Sequence, residues 1–226
     1  MMKAPNASPR TLRILVADDH EVVRQGVRSL LEKQPGWEVC EEAVSGREAV
    51  EKAKAVYPDV IVLDIAMPEL NGLEATRQIL KAIPDAQVLI LTMHESEQVV
   101  REVFQAGARG YVLKSDAGRD LVAAVNSLRS GKPFFTASVG EIVLDGYLQG
   151  SAAGSHPKTP GERLTMRERE ILQLMAEGRT SKEIATILGV SVKTAETHRT
   201  NVMRKLDLHS VGEVVRYAIR NKLVEP

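Results

Sequence analysis

Five short apolar runs alternate with amphipathic stretches between Leu12 and Arg129, and this alternation constrains the fold more than any other feature of the chain. Apolar residues recur at helical spacing after the first run, as in Val23, Val27 and Leu30. Strands that alternate with helices in this way form a parallel sheet. We therefore predict an α/β doubly wound five-stranded parallel sheet, with strands at Leu12–Ala17, Trp37–Ala43, Val60–Leu63, Gln87–Leu91 and Gly110–Leu113.

Helix-capping patterns predict the helices of both halves of the chain. Ser45 with Glu48 opens a helix of the first half, and later helices are predicted at Leu73–Ile83, Glu97–Ala106 and Gly118–Arg129. In the second half the S/T-x-x-E pattern occurs three times, at Thr165, Thr180 and Ser210. A fourth helix begins near Ser191, after a turn through Gly189. We predict a small all-α four-helix helix-turn-helix domain with helices at about 166–177, 181–188, 192–206 and 211–221.

Composition divides the chain into five parts. Residues 149–163, QGSAAGSHPKTPGER, lose all periodicity and have the composition of a flexible linker. Residues 1–11 are polar and are predicted to form a disordered tail. We assign 12–132 to the sheet domain, 133–148 to a connecting helix centred on the apolar segment from Val139 to Leu148, and 164–226 to the helical domain.

The net charge of zero hides an asymmetry between the two halves. From Leu12 to Lys132 there are 15 Lys and Arg against 19 Asp and Glu, whereas from Thr165 to Val224 there are 11 against 7. The acidic half is therefore excluded as the main nucleic-acid surface, and the basic half is compatible with one. No apolar run approaches the length of a membrane span, so we expect a cytoplasmic protein with no membrane partner. The lone Cys40 is read as a small buried hydrophobe.

Charged and polar residues follow several strands of the predicted sheet. In a doubly wound sheet, ligands bind at the carboxyl ends of the strands. The three carboxylates brought together there would repel one another unless a cation neutralised them, and Mg²⁺ is the natural occupant of an all-oxygen site. The residues expected at this edge are Asp18 and Asp19 after the first strand, Asp64 after the third, Thr92 after the fourth and Lys114 after the fifth.

This set of residues indicates phosphoryl transfer to a carboxylate. Asp64 would be the nucleophile and its product an acyl phosphate. Mg²⁺ and Lys114 would neutralise the phosphoryl oxygens, and Thr92 would donate a hydrogen bond to one of them. Each residue alone has an ordinary structural explanation, such as a helix cap for Asp19, but their convergence on one edge favours the chemical interpretation.

Residues 12–129 closely resemble the receiver (CheY-like) family through Asp18-Asp19, the segment DIAMPELNG from Asp64, Leu91-Thr92 and the segment GYVLK ending at Lys114. The resemblance implies that Asp64 is the phosphoacceptor and that Asp19 and Asp64 bind the metal directly. It further implies that Asp18 binds through water, that Ala66 contributes its backbone carbonyl, and that Thr92 and Tyr111 form a switch pair. A half-buried strand aromatic remains an alternative role for Tyr111. Many receivers have a cis proline after the lysine, and because this chain has Ser115 we expect a trans bond.

The predicted helix 192–206 has one apolar and one polar face. At 100° per residue, Ala195, Val202 and Leu206 share a face, and the opposite face carries Lys193, Thr197, Thr200 and Arg204. A solvated surface helix would show the same pattern. The capped helix before it and the Gly189 turn favour a helix-turn-helix whose second helix enters the DNA major groove.

Residues 164–210 resemble the LuxR-type DNA-binding domain, and with the receiver they give the NarL/FixJ organisation of bacterial response regulators. The resemblance implies three partners, namely DNA, a sensor histidine kinase, and a second copy of the chain after phosphorylation. The helical wheel places Arg199 nearer the core, so it is not counted as a base reader. The residues implied in DNA contact are Glu196, Thr197 and Thr200 at base edges, and Lys193, Thr194 and Lys205 at phosphates.

Three questions stay open at this point. The apolar stripe of the last helix, which includes Val211 and Val215, can pack internally or pair two DNA-bound copies. An aspartate-dependent phosphohydrolase would use the same Mg²⁺-bound acyl phosphate, although such enzymes place a carboxylate where this chain has Ala66. A protein-interaction module that never contacts DNA is the third reading, and salt-dependent DNA binding would exclude it.

Overall fold

The computed structural model describes residues 11–93, 96–136, 139, 164–221 and 223–224. The first domain contains five strands and five helices in strict alternation. The strands are β1 Leu12–Ala17, β2 Trp37–Ala43, β3 Val60–Asp64, β4 Gln87–Thr92 and β5 Gly110–Leu113. The helices are α1 Glu21–Glu32, α2 Gly46–Val56, α3 Gly72–Ala82, α4 Glu97–Ala106 and α5 Ala117–Arg129, and a 3-10 turn, Lys114–Asp116, precedes α5.

All neighbouring strands pair in parallel, in the order β2-β1-β3-β4-β5. One face of the sheet packs on α2, α3 and α4, and the other on α1 and α5. Alternate residues of each strand enter the two cores, as Leu15 and Val16 of β1 do. The predicted doubly wound sheet is confirmed, and the predicted strands β3 and β4 each extend one residue further, to Asp64 and Thr92.

The strand order positions the acidic residues. The chain runs outward from β1 in both directions, to β2 on one side and β3 on the other. The loops after β1 and β3 therefore diverge to opposite faces of the sheet and leave a crevice at the strand ends. Asp18 follows β1 directly and Asp64 is the last residue of β3, so both lie at this crevice.

The β3–α3 loop, residues 65–71, is folded tightly against the end of β3. The amide of Gly72 donates a hydrogen bond to the carbonyl of Ile65 at 2.9 Å. A Cβ atom at position 72 would lie 2.0 Å from the carbonyl oxygen of Asp64. Only glycine allows this close approach of backbone to backbone. Gly72 therefore determines the position of the start of α3 relative to Asp64.

The second domain has four helices, α6 Met166–Ala176, α7 Ser181–Leu188, α8 Val192–Leu206 and α9 Val211–Arg220, which confirms the helix-turn-helix prediction. Thr165 and Thr180 form complete capping boxes. Ser45 and Ser210 also accept the expected backbone bond, but the paired glutamates accept from the amides of Val44 and His209, one residue further back. Gly189 ends α7 in the left-handed region, at φ 62°, and so makes the tight turn before α8.

The predicted connecting segment begins differently from the expected helix. Phe134 is extended and forms a parallel bridge with Gly110, because its ring packs on the core beneath α1 and α5. A helix therefore does not begin at 133, although Val139 is helical and buried. The predicted tail, apart from Thr11, and the predicted linker 149–163 lie outside the described residues.

The two domains contact each other through α6 of the second domain, which lies against α3 and the β3–α3 loop of the first.

Among the described residues no peptide bond is cis, as expected for Ser115. Within the same part of the chain, no helix is long and apolar enough to span a bilayer.

Replacing Gly72 with alanine should destabilise the first domain by about 3 kcal/mol, because the new methyl group overlaps the Asp64 carbonyl. Urea unfolding followed by the fluorescence of Trp37, the single tryptophan, measures this domain. Gly118→Ala is the control, since nothing lies within 4 Å of its added Cβ and it sits in α5. That variant should match or exceed wild-type stability by up to about 1 kcal/mol, and equal stabilities for the two variants would refute the close-approach argument.

Candidate functional site

Asp64, Asp18 and Lys114 form a buried cluster at the carboxyl ends of β3, β1 and β5. Lys114 Nζ lies 2.7 Å from Asp64 Oδ2 and 2.9 Å from Asp18 Oδ2, so one ammonium group bridges two carboxylates. Asp64 and Asp18 are only 3% and 2% exposed. The structure thus brings together three of the residues that the sequence predicted for a phosphoryl site.

Asp19 and His20 complete the cluster toward solvent. One ligand atom from each of Asp18, Asp19, His20 and Asp64 lies within 4.8 Å of the others. His20 Nδ1 is 2.9 Å from Asp19 Oδ1, and the His20 amide donates to Asp18 Oδ1 at 2.9 Å. Sequence reasoning did not include His20, although its position directly after Asp18-Asp19 was the available signal.

Burial dominates the electrostatics of Asp64. Removal from water raises the pKa of its carboxyl group to about 6, although the adjacent Lys114 ammonium opposes the rise. The charge of Asp18 adds to the increase. For Lys114, burial favours the neutral form, but the hydrogen bonds to Asp64 and Asp18 outweigh it and raise the pKa of the ammonium. The buried part of the cluster therefore sets the carboxylates of Asp64 and Asp18 against the single ammonium group of Lys114, with little solvent.

The remaining predicted pocket residues lie on neighbouring elements. Ala66 is half-buried in the β3–α3 loop, two residues beyond Asp64. Thr92 ends β4 and is 1% exposed. Tyr111 of β5 is fully buried in the core beneath α2, α3 and α4, rather than half-buried as the alternative interpretation required.

Helix α8 presents the predicted polar face to solvent. Ala195, Val202 and Leu206 are its buried residues, which confirms the helical wheel. Arg199 is half-buried and donates to the carbonyl of Arg179 at 3.1 Å, as expected of a residue near the core. The exposed residues include all but one of the predicted DNA contacts, namely Lys193, Thr194, Glu196, Thr197 and Thr200.

Lys205 is placed differently from the other predicted contacts. Its Nζ lies 2.6 Å from Glu168 Oε2, the carboxylate of the capping box that opens α6. Although burial opposes the shift, the bonds from Lys205 and Thr165 lower the pKa of Glu168. A DNA phosphate would have to compete with this carboxylate for Lys205.

Part of the apolar stripe of helix α9 packs inside its own domain. Val214 and Ala218 are buried, and Val215 and Ile219 are half-buried. Val211 at the start of the helix is 50% exposed. Internal packing therefore accounts for the middle of the stripe and leaves its first residue available to a partner.

Known families match both domains of the chain. Residues 14–126 match the response regulator receiver domain, and residues 162–218 match the luxR family of bacterial regulatory proteins. The chain is a two-component response regulator with a LuxR-type DNA-binding domain. Two similar relatives span its length. The transcriptional regulatory protein LiaR of Bacillus subtilis (strain 168) is 40% identical over 213 residues, covering 94% of this chain and 99% of LiaR.

The oxygen regulatory protein NreC of Staphylococcus carnosus (strain TM300) is 38% identical over 216 residues, covering 95% of this regulator and all of NreC. Among solved structures, RcsB of Salmonella enterica serovar Typhimurium, bound to promoter P1flhDC with the phosphomimetic BeF3−, matches with a TM-score of 0.58. It is 26% identical, and the match covers 92% of this chain and 98% of RcsB. The fold of a receiver followed by a helical DNA-binding domain is thus shared.

The raised pKa of Asp64 predicts a pH-dependent cost to the regulator's stability. Because the folded-state value of about 6 exceeds the ordinary 3.8, the folded state loses stability as pH rises from about 4 to about 6. Asp64→Asn should therefore stabilise the receiver at pH 7, without divalent metal, by up to about 3 kcal/mol. The gain should vanish below pH 4.

Urea unfolding in a chelating buffer, followed by Trp37 fluorescence across this pH range, tests the prediction. Asp85→Asn changes an exposed carboxylate of the same domain and should stay within about 0.5 kcal/mol of wild type. An Asp64→Asn variant that is less stable than wild type at pH 7 would show that the Lys114 ion pair outweighs the burial of the carboxylate.

Proposed function

We propose that Asp64 accepts a phosphoryl group from a sensor histidine kinase and that this modification controls DNA binding by α8. The observation that carries the proposal is the buried Asp64 carboxylate, bridged through Lys114 to Asp18 at the ends of three strands. A carboxylate oxygen of Asp64 attacks phosphorus, and the bond from phosphorus to the kinase histidine nitrogen breaks. The product is an acyl phosphate on Asp64 and a free histidine on the kinase.

The donor set fits a divalent cation. Asp18, Asp19 and Asp64 supply carboxylate oxygens within 4.8 Å of one another, and hard oxygen ligands suit Mg²⁺. The Ala66 carbonyl is the further ligand that we assign. When bound, Mg²⁺ would neutralise charge on the transferred phosphoryl group. Lys114 Nζ, 2.7 Å from Asp64 Oδ2, would contact a phosphoryl oxygen on Asp64.

Thr92 and Tyr111 are proposed as the switch pair. Thr92 ends β4, the strand next to β3, and is buried at the same edge of the sheet as Asp64. A hydroxyl that moves toward the phosphoryl group leaves space that an inward Tyr111 ring can fill. Tyr111 is fully buried in this structure, so its ring already has the inward position that we propose phosphorylation to favour.

Helix α8 is proposed to enter the major groove of DNA. The Thr197 hydroxyl donates to the carbonyl of Lys193 at 2.9 Å, and the Thr200 hydroxyl to the carbonyl of Glu196 at 3.0 Å. Each hydroxyl proton is therefore engaged, while the oxygen can still accept and the methyl group is free. These threonines would read a base amino group or a thymine methyl. Lys193 and Thr194 at the start of α8 would hold phosphates, with Lys205 joining them if it leaves Glu168.

We further propose that phosphorylation favours a homodimer bound to DNA in the cytoplasm. A structure of RcsB contains two dimers bound to two parallel DNAs, at 26% identity and a TM-score of 0.56. The exposed Val211 of α9 is a candidate contact between DNA-bound copies. Two linked helical domains gain affinity for two half-sites through their raised effective concentration.

Asp64→Asn should abolish phosphorylation, because an amide does not attack phosphorus at a useful rate. Incubation with acetyl phosphate and Mg²⁺ followed by intact mass measurement should show an adduct of about 80 Da on wild type and on Asp85→Asn only. Full retention of the adduct in Asp64→Asn would assign the phosphoryl group to another residue.

Lys193→Ala and Thr197→Ala should weaken DNA binding in different ways. A preferred duplex is first selected from a random library with the wild-type protein, and affinities are then measured across salt and single-base changes. Loss of Lys193 should weaken all sequences alike and reduce the salt slope by about one, whereas loss of Thr197 should relax preference at one base pair. The same uniform loss from both variants would contradict the placement of α8 in the groove.

A further inference from the structure

The helical domain reaches into the loop that follows the phosphoacceptor. We infer that Gln173 of α6 is a positioning residue for the receiver site, acting through the β3–α3 loop. This inference rests on the proposed role of Asp64 and adds a residue from the other domain to the site. It assigns to the DNA-binding domain a direct part in the affinity of the pocket for its metal ion.

Gln173 holds the loop at two points with one carboxamide group. Its Nε2 donates to the carbonyl of Met67 at 2.8 Å, and its Oε1 accepts from the amide of Asn71 at 2.7 Å. The side chain is 1% exposed, and Asn71 is 2% exposed. Both backbone groups would otherwise be buried without a partner at this interface, which is unfavourable. The carboxamide therefore fixes the spacing between Met67 and Asn71 within the loop.

Glu177, one turn later on α6, extends this contact. Its Oε1 accepts from the amide of Glu69 at 2.9 Å and from Gln173 Nε2 at 2.8 Å. Glu69 has φ 65°, a left-handed conformation that is uncommon for a residue with a side chain. The bond to its amide supports that conformation. Two side chains of α6 thus hold three alternate residues of the loop, Met67, Glu69 and Asn71.

The β3–α3 loop contains Ala66 and directly follows Asp64, two of the metal ligands that we propose. Met67, whose carbonyl binds Gln173, directly follows Ala66 in the chain. The other end is fixed by Asn71, which caps α3, and by Gly72, which packs on the Asp64 carbonyl. The backbone from Asp64 to Gly72 therefore has little freedom while Gln173 is in place. Orientation of the Ala66 carbonyl depends on this restraint.

Other contacts join the domains without contacting the loop. Gln78 of α3 donates to Glu170 of α6 at 2.6 Å, and Arg169 of α6 pairs with the buried Glu74 of α3. These contacts dock α6 on the receiver, so the effect of the loop contact can be separated from the effect of docking.

The docked arrangement already brings the carboxylates of the pocket together, so the contact should favour metal binding rather than oppose it. By linkage, metal binding should strengthen docking by the same factor. The polar face of α8 is exposed in this arrangement. Docking through α6 is therefore compatible with DNA binding, and an occupied pocket would hold the helical domain in one orientation.

Gln173→Leu in the full-length chain tests the inference. It removes both loop bonds and keeps a side chain of similar size on α6. We expect the Mg²⁺ dissociation constant, measured by calorimetry, to rise by roughly three- to tenfold, the effect of one or two hydrogen bonds. The Mg²⁺ concentration for half-maximal phosphorylation by acetyl phosphate should rise equally. The rate at saturating Mg²⁺ should stay near that of wild type.

Gln78→Leu is the matched control, because it removes a hydrogen bond between the same two domains but does not contact the loop. It should leave the Mg²⁺ dependence unchanged. Equal shifts in Gln78→Leu and Gln173→Leu, or no shift in Gln173→Leu, would overturn the inference. Should Gln173→Leu fold poorly, Gln173→Met keeps an unbranched side chain and carries the same expectation. A wild-type chain with no Mg²⁺-dependent phosphorylation would instead reject the proposed function itself.

Discussion

The arrangement of the receiver site depends on the buried carboxylate of Asp64, whose charge is destabilised by its removal from water. Asp64 ends a strand whose five residues are all buried, and removal from water raises its pKa to about 6. Lys114 and Asp18 arrive from strands on either side of β3, because the strand order turns outward from β1. The ammonium group offsets one of the two negative charges. The charge that remains makes this edge of the sheet a place where a divalent cation and a phosphoryl group are stabilised.

The end of β3 also determines where the two domains contact each other. Gly72 brings the start of α3 against the Asp64 carbonyl, and this leaves the backbone of the β3–α3 loop at the surface of the receiver. Glu177 and Gln173 accept hydrogen bonds from two amides of that loop, and Gln173 also donates to one of its carbonyls. Buried polar groups of one domain thus depend on side chains of the other. The pocket and the helical domain are thereby joined through the backbone of the β3–α3 loop.

Local patterns predicted the fold and the pocket because each depends on periodicity or on chain position. Strand ends identify Asp18, Asp64 and Lys114 once the sheet is known to be parallel, and the helical wheel separates Val202 from Lys193. The sequence did not predict that Phe134 pairs with the edge strand, because this is a contact between residues distant in the chain. The pairing of Lys205 with Glu168 and the contacts of Gln173 depend on how helices and domains dock. Polar residues in the middle of α6 carry no sequence signal for such partners.

Amide hydrogen exchange at Glu69 and Asn71 tests the central claim most directly, because their amides bond to Glu177 and Gln173 only when the domains are docked. In the full-length protein we predict that both amides are protected, and that Mg²⁺ with beryllofluoride slows their exchange further by linkage. In Gln173→Leu the Asn71 amide should exchange faster, and the effect of Mg²⁺ with beryllofluoride on it should shrink. Exchange at the unprotected rate in the wild-type chain, or protection that does not respond to the occupied pocket, would contradict the account.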